Sequence, residues 1–391
     1  MSSSVVSLPQ QPLALAALPP LSLYVHIPWC VRKCPYCDFN SHERAGELPE
    51  RAYVDKLLND LEGMLPSVWG RPLVSVFIGG GTPSLFSPAS IDLLLSGVRA
   101  RMRLEPDAEI TLEANPGTVE AARFAGFREA GVNRISIGVQ SFDDGMLAAL
   151  GRIHDAAQAR AAIAAAAECF DNINLDFMYG LPGQTLAMAR ADVDQALACS
   201  TAHLSAYQLT LEPNTAFWSA PPALPEHDEC ADMQIMVEEM LGRKGYEHYE
   251  TSAFAQAGRG ARHNLNYWKF GDYIGIGAGA HGKLSFPDRI TRHSRIKQPR
   301  DYLAKADTLA EDRMVESSAL PFEFMLNALR LVDGFPLSLF AERTGLALLS
   351  MERALSEVEQ KGWIRRDWQR IWPTELGRRF LNELLERFLP A

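Results

Sequence analysis

The chain has 391 residues, 47% of them hydrophobic, and a formal net charge of −10. That length gives two or three domains with ample buried core, and the composition is that of a folded globular chain rather than a disordered one. The acidic balance argues against a general nucleic-acid binder.

The opening segment, MSSSVVSLPQQPLALAALPP, has no basic n-region and is broken by prolines. It reads as a loose N-terminal tail over residues 1–20, not as a signal peptide. No stretch is long and apolar enough to be read as a membrane span. Three of the six cysteines are clustered and three are scattered. This is not a secreted disulfide framework, so a reducing cytoplasm is expected. Cys169, Cys199 and Cys230 sit in helical-looking apolar contexts and read as buried structural thiols.

From Ser22 to about Thr210, short β-branched and aromatic runs alternate with helical stretches. The runs are LSLYVHI, LVSVFIGGG, AEITLEANP, NRISIGVQ, INLDFMYGLP and LSAYQLT. Six β-then-α units predict an α/β fold with a parallel sheet and helices outside. Six is short of the eight of a closed barrel, so a partial barrel over 21–212 is expected, with functional residues at the carboxyl ends of its strands. After Pro213 the rhythm changes. A helix near Asp228–Gly242 leads into YEHYETSAFA, RHNLNYW and the glycine-rich GDYIGIGAGAHG, read as a β-rich extension over 213–310. The remainder, 311–391, reads as helices, a hairpin and a final helix, an order resembling a winged helix. Its balanced charge favours an interaction module over DNA binding.

The motif YVHIPWCVRKCPYCDFN places Cys30, Cys34 and Cys37 in one short Pro-containing loop. Three thiolates are one short of a closed tetrahedral zinc site, which His26 or His42 could complete. A disulfide with a spare thiol is a further alternative. The third is a [4Fe–4S] cluster with one iron left open. An open iron could take a ligand carrying an amine and a carboxylate, and downstream residues suit such a ligand. GGGTPS lets the backbone approach closely. Glu113 ends the third strand, Gln140 the fourth and Asp176 the fifth; any one of these could instead cap a helix. Arg152 could meet a carboxylate, a charge-assisted pair of roughly 1.5–3 kcal/mol, or could be a surface residue beside Asp155.

Taken together, C-x₃-C-x₂-C, GGGTPS, NPGT, GVQSF, GRIH and DFMYGLPGQT resemble the radical S-adenosylmethionine (SAM) superfamily. They are most similar to the subfamily of oxygen-independent coproporphyrinogen III oxidase and the HemW-type heme chaperones. The resemblance runs from about Leu21 into the C-terminal domain. It implies that Cys30, Cys34 and Cys37 hold a [4Fe–4S] cluster. It also implies that Tyr24, Tyr36, Gly80, Gly81, Thr82, Glu113, Gln140, Arg152 and Asp176 contact SAM. The family's general chemistry is one-electron reduction of SAM to methionine and a 5′-deoxyadenosyl radical. Phe39 stands where the oxidases carry a further cysteine, and the longer N-terminal arm of the oxidases is not matched. HNLNYW is similar to the H-N-x-x-Y-W motif of the chaperones, which implies heme contact by His263, Asn264, Tyr267 and Trp268. Physically, a neutral His can ligate heme iron beside aromatic surface. Equally, His263 and Asn264 could hold a turn while Tyr267 and Trp268 fill the core. His281 in GAGAHG is a competing ligand. The resemblance thus implies heme delivery to acceptor hemoproteins, respiratory and membrane-associated ones included, with oxidase chemistry as the alternative. It leaves open a homodimer and a peripheral place at the inner membrane.

Overall fold

The computed structural model describes residues 13–117 and 122–390. In β1 (Leu21–Ile27), Leu21, Leu23, Val25 and Ile27 alternate with Ser22, Tyr24 and His26. Successive strand residues point to opposite faces, so one face of β1 is apolar and the other polar. The same alternation recurs in β2 (Leu73–Gly80), β3 (Leu104–Ala114), β4 (Arg134–Gln140), β5 (Ile173–Tyr179) and β6 (His203–Gln208). On β4, for example, Ile135, Ile137 and Val139 alternate with Ser136, Gly138 and Gln140.

All six strands run parallel, paired in chain order. Helices α1 (Glu50–Met64), α2 (Pro88–Arg101), α3 (Phe124–Ala130), α4 (Ala156–Ala167) and α5 (Leu186–Ala198) connect them. Their apolar stripes cover the apolar sheet face. In α1, Tyr53, Val54, Leu57, Leu58 and Leu61 are buried at helical spacing and join the core with Leu23, Val25 and Val76. Local signals set the helix starts. Asp155 and Gln158 form a capping box at α4, and Ser87 and Thr185 cap α2 and α5. The polar face is left for the inside of a partial barrel.

Beyond β6 come α6 (His227–Arg243), β7 (Glu247–Glu250), β8 (Ala253–Ala255), α7 (Arg262–Trp268), β9 (Asp272–Ile276), β10 (His281–Ser285), β11 (Ile290–Arg295) and β12 (Leu309–Met314). The strand order is β12-β11-β10-β9-β1-β2-β3-β4-β5-β6-β8-β7. The expected β-rich extension is therefore split between both edges of one sheet. β9 lies parallel beside β1 and carries an antiparallel run, while β8 and β7 add to β6. HNLNYW is not part of a strand; it forms α7.

The last part has its own core, in which Phe324, Phe335, Phe340, Leu355 and Ile371 are buried together. Its order is α8 (Leu320–Ala328), β13 (Phe335–Pro336), α9 (Leu337–Thr344), α10 (Glu352–Gln360) and the hairpin β14 (Ile364–Arg366) with β15 (Arg370–Pro373). That is the winged-helix order. The expected loose tail is packed from Leu13 on: Leu13 and Leu15 are buried in this second core, and Leu15 N–H donates to Pro287 O at 3.0 Å. Residues 1–12 lie outside those described. Of the three scattered cysteines expected to be buried, Cys230 is, whereas Cys169 and Cys199 are partly exposed near the ends of their helices. No helix among the described residues is long and apolar enough to cross a membrane.

Candidate functional site

The cysteine loop leaves the end of β1 and is pinned by hydrogen bonds on both sides. Gly81 N–H donates to Ile27 O and Thr82 N–H to Trp29 O, each at 2.8 Å. These bonds bring the end of β2 against the loop so closely that a Cβ at Gly81 would lie 2.6 Å from Trp29 O. Gly80 has φ +119, a conformation open to glycine and strained for other residues. On the other side, Asn40 donates through Nδ2 to Ala278 O and Lys297 O, both at 2.9 Å. His26 Nε2 lies 3.0 Å from Asn40 O, a pure acceptor, so Nε2 carries the proton and Nδ1 accepts from Tyr24 Oη at 2.8 Å. Both nitrogens of His26 are thereby used.

Cys30, Cys34 and Cys37 are free and partly buried. Cys37 N–H closes a turn on Cys34 O at 3.1 Å, and Cys37 Sγ lies 3.6 Å from Ser41 Oγ. Among the described residues, no group of His, Cys, Asp and Glu converges as the ligand sphere of one metal ion. A [4Fe–4S] cluster does not require such convergence, because each cysteine takes its own iron.

All three cysteines line a cavity of about 360 Å³ over the carboxyl ends of the strands. Tyr36, Gly80, Gly81, Thr82, Glu113, Gln140, Arg152 and Asp176 line it too. Tyr24 does not. It sits on the inner face of β1 and lines a neighbouring cavity, with Gly80 and Glu113 between the two. Asp176 lies in the middle of β5 rather than at its end, pointing inward beside Ser136 Oγ, which donates to it at 2.8 Å. Gln140 ends β4 with φ 69, a left-handed conformation costing a non-glycine residue about 1–2 kcal/mol. A register shift between Gly138 and Gln140 accompanies it.

The electrostatics of the cavity are unbalanced. Burial, then the nearby Asp176, pushes the Glu113 carboxyl up to about 8. Burial also raises Asp176, against hydrogen bonds from Ser136 and Asn174. Glu113 receives Gly80 N–H at 3.1 Å. Arg152 donates to Asn115 Oδ1 at 2.6 Å and Gly138 O at 2.9 Å and lies 3.6 Å from Cys34 Sγ, while its buried Nε has no partner. Two buried carboxylates facing a cavity call for a cation, and a buried guanidinium with an unused donor calls for an anion. A zwitterionic amino acid bearing a sulfonium meets both demands, so these side chains fit SAM, and the free thiols fit the cluster.

Asn115 was not singled out by sequence reasoning, although it lies in the quoted NPGT motif. It joins Arg152 to Thr82, whose Oγ1 accepts its Nδ2 at 2.8 Å. Ser136 and Tyr207, which also line the cavity, carry no local sequence signal beyond inward strand parity.

His263 and Tyr267 pack edge to face at 4.9 Å between centroids, but the four HNLNYW residues do not face one common space. His263 is 2% exposed, with Nδ1 3.0 Å from Ser75 Oγ and its ring stacked on Phe77 at 5.0 Å between centroids. Burial, then Arg134, pushes it down to about 3. Asn264 is partly buried. Tyr267 faces Tyr273, and Trp268 faces away, under the Arg330 guanidinium. The helix is held instead by Asn266, whose Nδ2 donates to Ser22 Oγ and Asp272 O at 2.9 Å each. α7 is thus a plug against the polar inner face of β1 and β2, below the cavities.

Residues 24–196 match the Radical SAM superfamily, and residues 315–380 match the HemN C-terminal domain. The chain is 51% identical over 379 residues to the heme chaperone HemW of Escherichia coli, covering 96% of this chain and all of that one. It is 50% identical to HemW of Haemophilus influenzae, covering 95% of this chain and 98% of that one. With HemW of Bacillus subtilis the identity is 33%, over 94% of this chain and 99% of that one. Among solved structures it resembles the Escherichia coli coproporphyrinogen III oxidase HemN, a radical SAM enzyme, with a TM-score of 0.79 and 22% identity. That match covers 95% of this chain and 90% of the other and is a likeness of fold.

Proposed function

Because the chain belongs to the HemW family of the radical SAM superfamily, we propose that it binds heme and hands it to acceptor hemoproteins, respiratory ones among them, and that it carries a [4Fe–4S] cluster and SAM. The observation that carries the heme reading is the 51% identity, end to end, with a heme chaperone. The cofactor reading rests on the cavity itself: three free thiols on one rim, an underused buried Arg152 and two buried carboxylates.

In this reading Cys30, Cys34 and Cys37 each hold one iron. Arg152 and Gln140 orient the methionyl carboxylate, and Glu113 and Asp176 the amine or ribose. The Gly80–Thr82 backbone approaches the ligand without side-chain obstruction. Bound together, the cluster and SAM supply one-electron chemistry. The chain's own part is to exclude water from the cavity and to fix the orientation of the ligand.

The test uses full-length protein reconstituted anaerobically. Replacing Cys30, Cys34 or Cys37 with Ala should abolish the brown iron–sulfur chromophore. On cluster-loaded protein, Arg152→Ala should weaken SAM binding by roughly tenfold to a hundredfold in calorimetry, as loss of a charged hydrogen bond requires. Heme-loaded protein should pass heme to an apo-hemoprotein, followed in the Soret band. Conversion of coproporphyrinogen III to protoporphyrinogen IX with SAM and reductant would replace this reading with that of an oxidase.

A further inference from the structure

Beside the SAM cavity lies a second one of about 550 Å³, within the range of about 300–1,000 Å³ usual for ligand pockets. It opens between the cluster loop, the inner face of β1, Tyr267 of α7, and β9 and β10. Its floor is aromatic. Tyr267 and Tyr273 lie 4.2 Å apart between centroids, and Tyr24 completes the surface. Lys33 and Lys297 line it and Phe39, 61% exposed, forms an apolar lip. Asp38 and Glu113 also face it, on the wall shared with the SAM cavity.

Three histidines line this cavity, and they differ in what their nitrogens are doing. Both nitrogens of His26 are occupied, by Tyr24 and Asn40. His42 Nε2 lies 3.3 Å from Asn40 Oδ1. His281, the first residue of β10, is exposed, and its ring makes no hydrogen bond among the described residues. Burial, then the cations Lys297 and Arg292, lowers its pKa, which keeps the imidazole neutral with a lone pair to give. His263 is not in the lining at all; it lies beneath the floor, its centroid 6.3 Å from that of Tyr24.

We propose that this second cavity is the heme site, with His281 rather than His263 as the axial ligand to iron and with Lys33 and Lys297 facing the two propionates. The inference rests on the heme-binding reading above and adds where and by what the cargo is held. The tyrosine rings of the floor, tilted by 59° at Tyr267 and Tyr273, give a porphyrin aromatic contact, a free imidazole takes the metal, and two ammonium groups match a dianion. Ligation by one exposed histidine also leaves the iron open to a replacing ligand from an acceptor.

The test is a ferric-heme titration of cluster-loaded full-length protein, read in the Soret band and by electron paramagnetic resonance. Wild type should give a histidine-ligated spectrum. His281→Ala should shift it and weaken binding at least tenfold, with an unchanged iron–sulfur signal showing an intact fold. Added imidazole should restore the ligated spectrum of that variant, a rescue that a structural role would not give. Lys297→Glu should weaken binding without altering the ligation spectrum. A wild-type spectrum in His281→Ala, or a ligation change confined to His42→Ala or His263→Ala, would overturn the assignment while leaving heme binding standing. If wild type takes up no heme, the functional reading falls and this one with it.

Discussion

Glu113 and Asp176 are buried and line one cavity, and burial with the neighbouring Asp176 raises Glu113 despite the opposing charge of Arg134. The Glu113 carboxyl stands at about 8, against 4.5 for an ordinary glutamate. A group raised in this way holds its proton more tightly when folded than when unfolded. Its contribution to stability is therefore fully present below pH 4.5 and is lost as pH rises through about 8. The ligand-free protein should lose thermal stability across that window, and Glu113→Gln should flatten the loss in melts at pH 5, 6.5 and 8. The cationic ligand favours the carboxylate, so its binding expels the proton. SAM affinity should then climb with pH up to about 8 in wild type, and the climb should disappear in Glu113→Gln. The residues lining this cavity were largely legible, because short motifs at strand ends lie near one another once the strands are parallel. Asn115 was harder to see, since its role is a bridge between Thr82 and Arg152, and neither partner is its neighbour in sequence.

The helix α7 shows what a motif conceals when its partners are remote. HNLNYW has too few residues for a helical stripe, and an isolated helix this short is not stable in water. What makes it helical is contact: Asn266 with Asp272 at the start of the next strand and with Ser22, and His263 with Ser75, the two serines on strands far away in the chain. Those contacts also account for the polar half of the motif, because the inner sheet face under α7 is itself polar. Asn266→Ala would take the side-chain donor from the buried Asp272 carbonyl and one of two donors from Ser22 Oγ, which keeps Ser75 Oγ at 2.8 Å. It should cost about 1–3 kcal/mol, read as a lower denaturation midpoint. The iron–sulfur spectrum of the folded fraction should be unchanged, since α7 lies beneath the cluster loop and not in it.

At the scale of the molecule, the six-unit half barrel follows from strand alternation and helix caps. The placement of later strands on both edges does not, because edge pairing is decided by register and contacts across the whole sheet. One buried knot secures that arrangement. Asp272 of β9 receives Lys283 Nζ at 2.8 Å, Arg71 at 2.8 Å and Ser285 Oγ at 2.7 Å, joining β10 to the base of β2. Asp272→Ala strands the ammonium of Lys283, which is 1% exposed. It should destabilise the fold by about 3–5 kcal/mol in denaturant titration. The wall between the two cavities is also a matter of the whole molecule. Cys37, Asp38, Phe39, Gly80 and Glu113 border both spaces. Two ligands leaning on one partition cannot be independent unless that partition is rigid to both, and whatever coupling it transmits is reciprocal. If SAM loosens the hold on cargo by some factor, cargo must loosen the hold on SAM by the same factor. The partition would then work as a ledger between loading and release, and it could do so without a single turnover of SAM.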